Sequence, residues 1–426
     1  MESYRESGEL RITKNEERLL SNIAPIEYLD QTLKKAPDEL KDQYLIDFLQ
    51  DELREVLQSF LNGGLSTAGY VAYPFMQNVS PKTKEKLLRV SAVASLLQKR
   101  GRKISPIRKP QSMAGCASAL ASLYQNFEAI QKKGTKVAKK NLCEQFDLRE
   151  YGTEYLGFLS PLQDVQKISR SMENGIEGLY LHGSLATNDF VKGWSDCDTL
   201  CVVSTDTLKS PKRLLSLRSQ LIRMRGYCCQ IDPLQHHGAS IITKYDLDSY
   251  PQTYFPLPLF DYAKSFGKDN VKEVRLRQHT VSSYAKLFWF VSYFRRMQEK
   301  KNYSLNAYET KNLLHLIALF PSLYLQAKGV LAYKKFSFGI AKKDFSKELW
   351  QPIEEMTVIR SKWKQLPTYP GIRHYAKLNP FVAYQINAKL IDKARIMKRM
   401  AVDTKTLIEG VHLLSEEAWR KAVKRL

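Results

Sequence analysis

Leu181-His182-Gly183-Ser184, followed after eleven intervening residues by Asp196-Cys197-Asp198, is the stretch whose reading decides the fold. Before it, Ile176-Glu177-Gly178-Leu179-Tyr180-Leu181 reads as a short strand. After it, Thr199-Leu200-Cys201-Val202-Val203 is a β-rich apolar run, so the two aspartates stand at the entry to a second strand. Side chains alternate faces along a strand, and residues two apart project to the same side. Asp196 and Asp198 therefore face one another's neighbourhood. Two carboxylates a few ångströms apart hold both charges only with cations between them. Hard oxygen donors of this kind suit Mg²⁺, which binds through one or two carboxylates plus substrate phosphates. Two-metal phosphoryl or nucleotidyl transfer is the chemistry such a pair supports.

Tyr227-Cys228-Cys229-Gln230-Ile231-Asp232 reads as another short strand ending in Asp232, with a plain Asp-Pro turn as the alternative. The chain order around these motifs is helix, strand, turn, strand, helix, strand. The first helix covers about 162–173 and ends at Asn174-Gly175, and a basic helix covers Pro211 to Arg225. A further strand covers Ala239-Ser240-Ile241-Ile242-Thr243.

These residues resemble the signature of the nucleotidyltransferase superfamily, which includes DNA polymerase beta and the aminoglycoside nucleotidyltransferases. Leu181, Gly183, Ser184, Asp196 and Asp198 fill its pattern, and Ser195 precedes the first aspartate as in many small members. His182 before the glycine, and Cys197 and Thr199 around the second aspartate, depart from it mildly. The resemblance covers residues 161–270, about a quarter of the chain. It implies an α/β nucleotidyltransferase core, a small mixed sheet with helices. It also implies that Asp196, Asp198 and Asp232 are catalytic and bind Mg²⁺ (or Mn²⁺), with Asp232 on the acceptor side. The phosphates of a nucleoside triphosphate would lie over the Gly183-Ser184 turn, where a Cβ would obstruct their approach. An acceptor hydroxyl would then gain a nucleoside monophosphate as pyrophosphate leaves.

The flanks read as mostly α-helical, which gives three regions: 1–160, the core at 161–270, and a basic domain at 271–426. In the first, Leu19, Ile23, Ile26 and Leu33, then Leu45 to Phe60, recur at spacings of three and four, and Asn62-Gly63-Gly64 ends that helix. Ser80-Pro81 starts another, with Ser80 as cap and Pro81 at the first position. An Ala-rich helix covers about 113–133. Gly101 to Pro110 reads as a basic linker, and Lys132 to Lys140 as a flexible basic stretch. In the last region, stripes such as Tyr284, Leu287, Phe288, Val291 and Phe294 read as core, with later helices near 345–364, 380–400 and 413–425.

Charge divides the same way. The chain carries a net +22, yet residues 161–270 hold twelve basic and twelve acidic side chains. Residues 271–426 hold thirty against twelve, residues 56–140 fifteen against two, and residues 1–55 eight against fourteen. Basic flanks around a neutral core attract phosphates, and a tRNA-like RNA end is the acceptor they suggest. Alternatives are a small hydroxylated molecule, a protein hydroxyl, or a nucleic-acid-binding protein without activity. The acidic first 55 residues are expected to lie against a basic flank. Six cysteines without a CxxC pair, no signal peptide and no apolar run long enough to span a bilayer point to a reduced, cytoplasmic setting without membrane partners.

Three further features carry two readings each. Gln235-His236-His237-Gly238 is a turn shaping a pocket mouth, or a source of a metal ligand or proton carrier. Trp194 is core, or a base-stacking ring. Lys334 and Lys335, between two helices, have no motif to mark them, or reach the triphosphate from the helical domain.

Overall fold

In the computed structural model the described residues are 37–423, leaving out 76, 105–109, 111, 135, 140–142, 236, 253, 268–270, 272, 278–281, 302, 364–374, 376–377 and 394–401. The expected first helix at Leu19–Leu33, most of the basic linker, and most of the acidic N-terminal segment lie outside them. Helix dominates. The helices of eight or more residues are α1 (Asp38–Leu61), α2 (Pro81–Lys99), α3 (Met113–Ile130), α4 (Pro161–Ser171), α5 (Pro211–Ile231) and α6 (Ser282–Glu299). They continue as α7 (Ala307–Ile317), α8 (Phe320–Ala327), α9 (Lys334–Lys342), α10 (Lys347–Lys362), α11 (Pro380–Lys393) and α12 (Thr404–Val423). Strands are β1 (Lys136–Lys139), β2 (Glu144–Gln145), β3 (Ile176–Leu181), β4 (Thr199–Val203), β5 (Ser240–Thr243), β6 (Lys264–Ser265) and β7 (Val274–Leu276).

Local chemistry sets several of these ends. The Ser80 hydroxyl accepts from the Thr83 N–H, with Pro81 at the first helical position, where a missing N–H costs nothing. The turn at Asn62 follows the end of α1 as expected.

Five strands form a mixed sheet in the order β2-β6-β3-β4-β5. The β3–β4 pair is antiparallel with Leu181 opposite Thr199, whereas β4–β5 is parallel with Leu200 opposite Ser240. A parallel neighbour needs a crossover, and α5 lies on it. Alternation along the strands splits their side chains between two cores. Leu179, Leu181, Cys201, Val203 and Ile241 join a large cluster with α1 to α5, while Tyr180, Leu200, Val202 and Ile242 pack under Tyr250 and Phe260. Burial on both faces accounts for strands that read as continuous apolar runs. Helices α6 to α10 and α12 build a separate cluster around Phe290, Phe294, Leu314 and Trp350, which Trp194 joins, whereas Phe381 of α11 packs into the first cluster.

Several segments differ from their sequence reading: the last helix starts at Thr404, not near 413, and Val274–Leu276 is a strand. Tyr227–Ile231 is helical, because Leu214, Leu217, Leu221, Cys228 and Ile231 extend the three-and-four spacing of α5 to its end. Both Cys228 and Cys229 are buried there, and Asp232 caps the helix immediately before Pro233. Within Lys132–Lys140, Lys136–Lys139 is a strand, paired antiparallel with β7. All six cysteines are unpaired. No helix among the described residues is long and apolar enough to cross a membrane.

Candidate metal centre and its two cavities

Strand register assembles this site. Because Leu181 opposes Thr199, the turn after β3 and the residues before β4 meet at one sheet end, where the His182 N–H donates to the Asp198 carbonyl at 3.0 Å. Because β5 starts level with β4, the loop before Ser240 reaches the same end. It brings His237, whose Nε2 lies 2.9 Å from Asp196 Oδ2 and 3.3 Å from Asp198 Oδ1. These three side chains place donor atoms within 4.8 Å of one another. The Asp196 side chain is 7 % exposed, Asp198 27 % and His237 30 %. Asp196 is therefore the deep member and the other two face outward.

Gln235 fixes the arrangement. Its side-chain carbonyl accepts from the Cys197 N–H at 2.9 Å and its amide donates to the Cys197 carbonyl at 3.3 Å, between the two aspartates. The same amide lies 3.3 Å from His237 Nδ1. Gly183 has φ +73°, and a Cβ built there would collide with the Asp198 carboxylate. Glycine is required at this position by backbone conformation and by space. Gly183→Ala is expected to displace Asp198 and to weaken metal binding by at least roughly tenfold, the scale seen when a ligand's support is lost. Titration of Mn²⁺ into the variant checks this, and unchanged affinity would contradict it.

Asp232 is not among the donor atoms that meet within 4.8 Å, although it lies near enough to Asp196 for the two charges to act on one another. Its Oδ1 accepts from the Leu234 N–H at 3.0 Å, and its Oδ2 forms a 2.6 Å ion pair with Lys311 of α7, both side chains being buried. The expected third carboxylate is thus a helix cap committed to a lysine. The third position beside Asp196 and Asp198 is taken by an imidazole, His237, from the loop leading into β5.

Electrostatics follow from these contacts. Burial opposes the charge on His237, but hydrogen bonds to Asp196 and Asp198 outweigh it and hold the imidazolium well above the ordinary histidine range. Burial likewise acts to raise Asp196, yet His315, His237 and Lys311 together hold it well below the usual carboxylate range. His315 lies 3.9 Å from Asp196 and stacks on Trp194 at 4.6 Å. That tryptophan is therefore a packed wall of the site. His182 is lowered chiefly by burial, and its Nε2 has no hydrogen-bond partner among the described residues.

A raised histidine value has a definite consequence for stability. The metal-free protein has the full contribution of His237 below about pH 6.5, the unfolded value, and loses it as pH rises through the higher folded value. Melting temperature of metal-free protein against pH should show this fall, and His237→Gln should flatten it. An identical slope in the variant would contradict the assignment.

Two cavities flank the aspartates. The smaller, about 80 Å³, has Gly183, Ser184, Lys334, Lys335 and Arg360 in its wall. Lys334 starts α9 immediately after Tyr333, whose hydroxyl accepts from the Gly183 N–H at 2.9 Å and donates to the Gly183 carbonyl at 3.2 Å. The helical region is thereby tied directly to the turn. Ser184 Oγ donates to Ser195 Oγ at 2.9 Å, so that hydroxyl braces the loop before Asp196. The larger cavity, about 340 Å³, opens on the His237 side.

Sequence reading found Asp196, Asp198 and the Gly183-Ser184 turn, and named His237 and Lys334 among its alternatives. His315 and Tyr333 were missed, and Gln235 was read only as part of the turn before β5. They carry no motif, and only the fold brings them together. No family model, curated protein or solved structure matches the chain.

Proposed function

We propose that this chain is a metal-dependent nucleotidyltransferase, moving a nucleoside monophosphate from a nucleoside triphosphate to an acceptor hydroxyl with release of pyrophosphate. The observation that carries the reading is the convergence of Asp196, Asp198 and His237 beside a glycine turn that tolerates no Cβ. Two carboxylate oxygens and one imidazole nitrogen suit Mg²⁺ or Mn²⁺, the nitrogen leaning toward Mn²⁺. His237 must give up its proton to serve as a ligand. A divalent cation here would neutralise charge developing on the transferred phosphoryl group.

The rest falls to the chain's own residues. Lys334, Lys335 and Arg360 place positive charge around the smaller cavity, where β- and γ-phosphates can lie against them. Tyr333 holds the turn and Gln235 holds the aspartate loop, so the donor atoms are positioned before substrate arrives. We place Asp232 outside the ligand set, as a structural group. The basic surplus of the flanks, within a total of +22, supports RNA as the acceptor, and six unpaired cysteines support a reduced, cytoplasmic setting.

Incubation with each α-³²P-labelled nucleoside triphosphate, Mg²⁺ or Mn²⁺, and total cellular extract tests the reading. Label should enter one class of macromolecule or metabolite and pyrophosphate should accumulate. Neither appearing with any nucleotide and either metal would refute it.

A further inference from the structure

Resting on the transferase reading, we propose that the 340 Å³ cavity is the acceptor site and that it takes a nucleoside bearing a free ribose hydroxyl. In-line displacement puts the attacking and leaving oxygens on opposite sides of the α-phosphorus. If pyrophosphate leaves into the cavity with Lys334, Lys335 and Arg360, the acceptor enters from the His237 side, where the larger cavity opens.

Its lining selects the chemistry. One wall is the Tyr254–Leu259 loop, with Tyr254 and Phe255, and the other is the start and face of α8, with Leu319 and Leu323. Such walls reject a polyol, whose hydroxyls would lose hydration without return. Among the described lining residues the only carboxylates are Asp196 and Asp198, while Lys286 and Lys334, the latter shared with the smaller cavity, contribute cations. A polycationic amino sugar therefore finds repulsion where it needs acids. A flat heterocycle on a sugar fits both facts. Apolar walls take the base faces, and the ribose turns toward Ser240 and His237.

Two buried polar atoms lack partners among the described residues and support a ligand here. The Gln326 side-chain carbonyl, on a residue 6 % exposed, and His182 Nε2, on one 8 % exposed, both belong to the cavity wall. An unmade hydrogen bond at such atoms costs about 1–3 kcal/mol, which a base edge and a sugar hydroxyl would recover. An amide side chain also matches the paired donor and acceptor of a base edge.

The step balances simply. The acceptor oxygen bonds to the α-phosphorus, the bond from that phosphorus to the bridging oxygen breaks, and its electron pair leaves on pyrophosphate. The hydroxyl proton passes to an Asp198 carboxylate oxygen and from there to solvent.

The nucleoside has two sources, free nucleoside or an RNA 3′ end, and the assays separate them. Calorimetry with adenosine, guanosine, cytidine and uridine, without metal, should show binding of at least one. Gln326→Leu should weaken it by roughly tenfold or more, the scale of a lost polar contact, and Leu323→Trp should block it. In transfer assays Gln326→Leu should raise the acceptor KM and shift base preference with kcat nearly unchanged. Label in free nucleosides identifies one source. Label in RNA with a free 3′ hydroxyl, lost when that end is blocked, identifies the other. No nucleoside binding, or binding and KM indifferent to both substitutions, overturns the proposal while label transfer to another acceptor leaves the transferase reading standing. Nucleoside binding without any consumption of triphosphate instead removes the transferase reading, and with it the acceptor role.

Discussion

Alanine at Asp196 or Asp198 is expected to reduce nucleotidyl transfer by roughly a thousandfold or more, the scale at which removing a principal electrostatic stabiliser acts. Asp196 is the deeper residue and meets both His237 and His315, so its loss should also disturb the imidazoles. Asp198 is more exposed, and its loss should leave the melting temperature nearly as in the parent. The two variants thus separate chemistry from scaffold. The check is label transfer and melting temperature measured side by side. Activity within tenfold of the parent in Asp198→Ala would exclude the carboxylate from the reaction.

Lys311→Met should be the most destabilising single change near the site. It strands the buried Asp232 carboxylate, and breaking a buried ion pair from one side costs about 3–5 kcal/mol. Replacing both partners, Lys311→Met with Asp232→Leu, removes the orphaned charge and should recover most of the lost stability. Chemical denaturation of the two single variants and the double measures the coupling. The double variant should also retain Mn²⁺ binding, since Asp232 is paired with Lys311 and not with the donor atoms of the cluster. Loss of metal affinity in the double variant, at restored stability, would return Asp232 to the ligand set.

Much of the sheet end was legible in the chain, for a physical reason. Strand alternation and a glycine turn act over a few residues, so Ile176–Leu181, Thr199–Val203 and the placement of Asp196 and Asp198 follow from local pattern. Ser80-Pro81 is legible for the same reason, since a cap bonds within its own first turn. Tyr227–Ile231 misled because five residues with a tyrosine and adjacent cysteines suit a strand as well as a helix. The longer periodicity of α5 decided the matter. His237 was ambiguous since its neighbours in sequence say nothing of the parallel register between β4 and β5 that delivers it. Gln235, Tyr333 and His315 act through contacts spanning up to 150 residues, and no local pattern encodes those.

The Lys311–Asp232 pair illustrates the limit well. A strand-borne acid and a helix cap read alike in sequence, and the discriminating partner lies in another helix. Its lysine is silent in α7 until that helix packs beside the end of α5.

Crystals grown with Mn²⁺ and a non-hydrolysable nucleoside triphosphate test the central claim most directly. An anomalous peak is expected between Asp196 and Asp198, about 2.1–2.2 Å from their oxygens and in bonding contact with His237 Nε2, Asp232 remaining on Lys311. A metal bound elsewhere, or no peak at saturating Mn²⁺ with the His237 contact to both carboxylates intact, would contradict it.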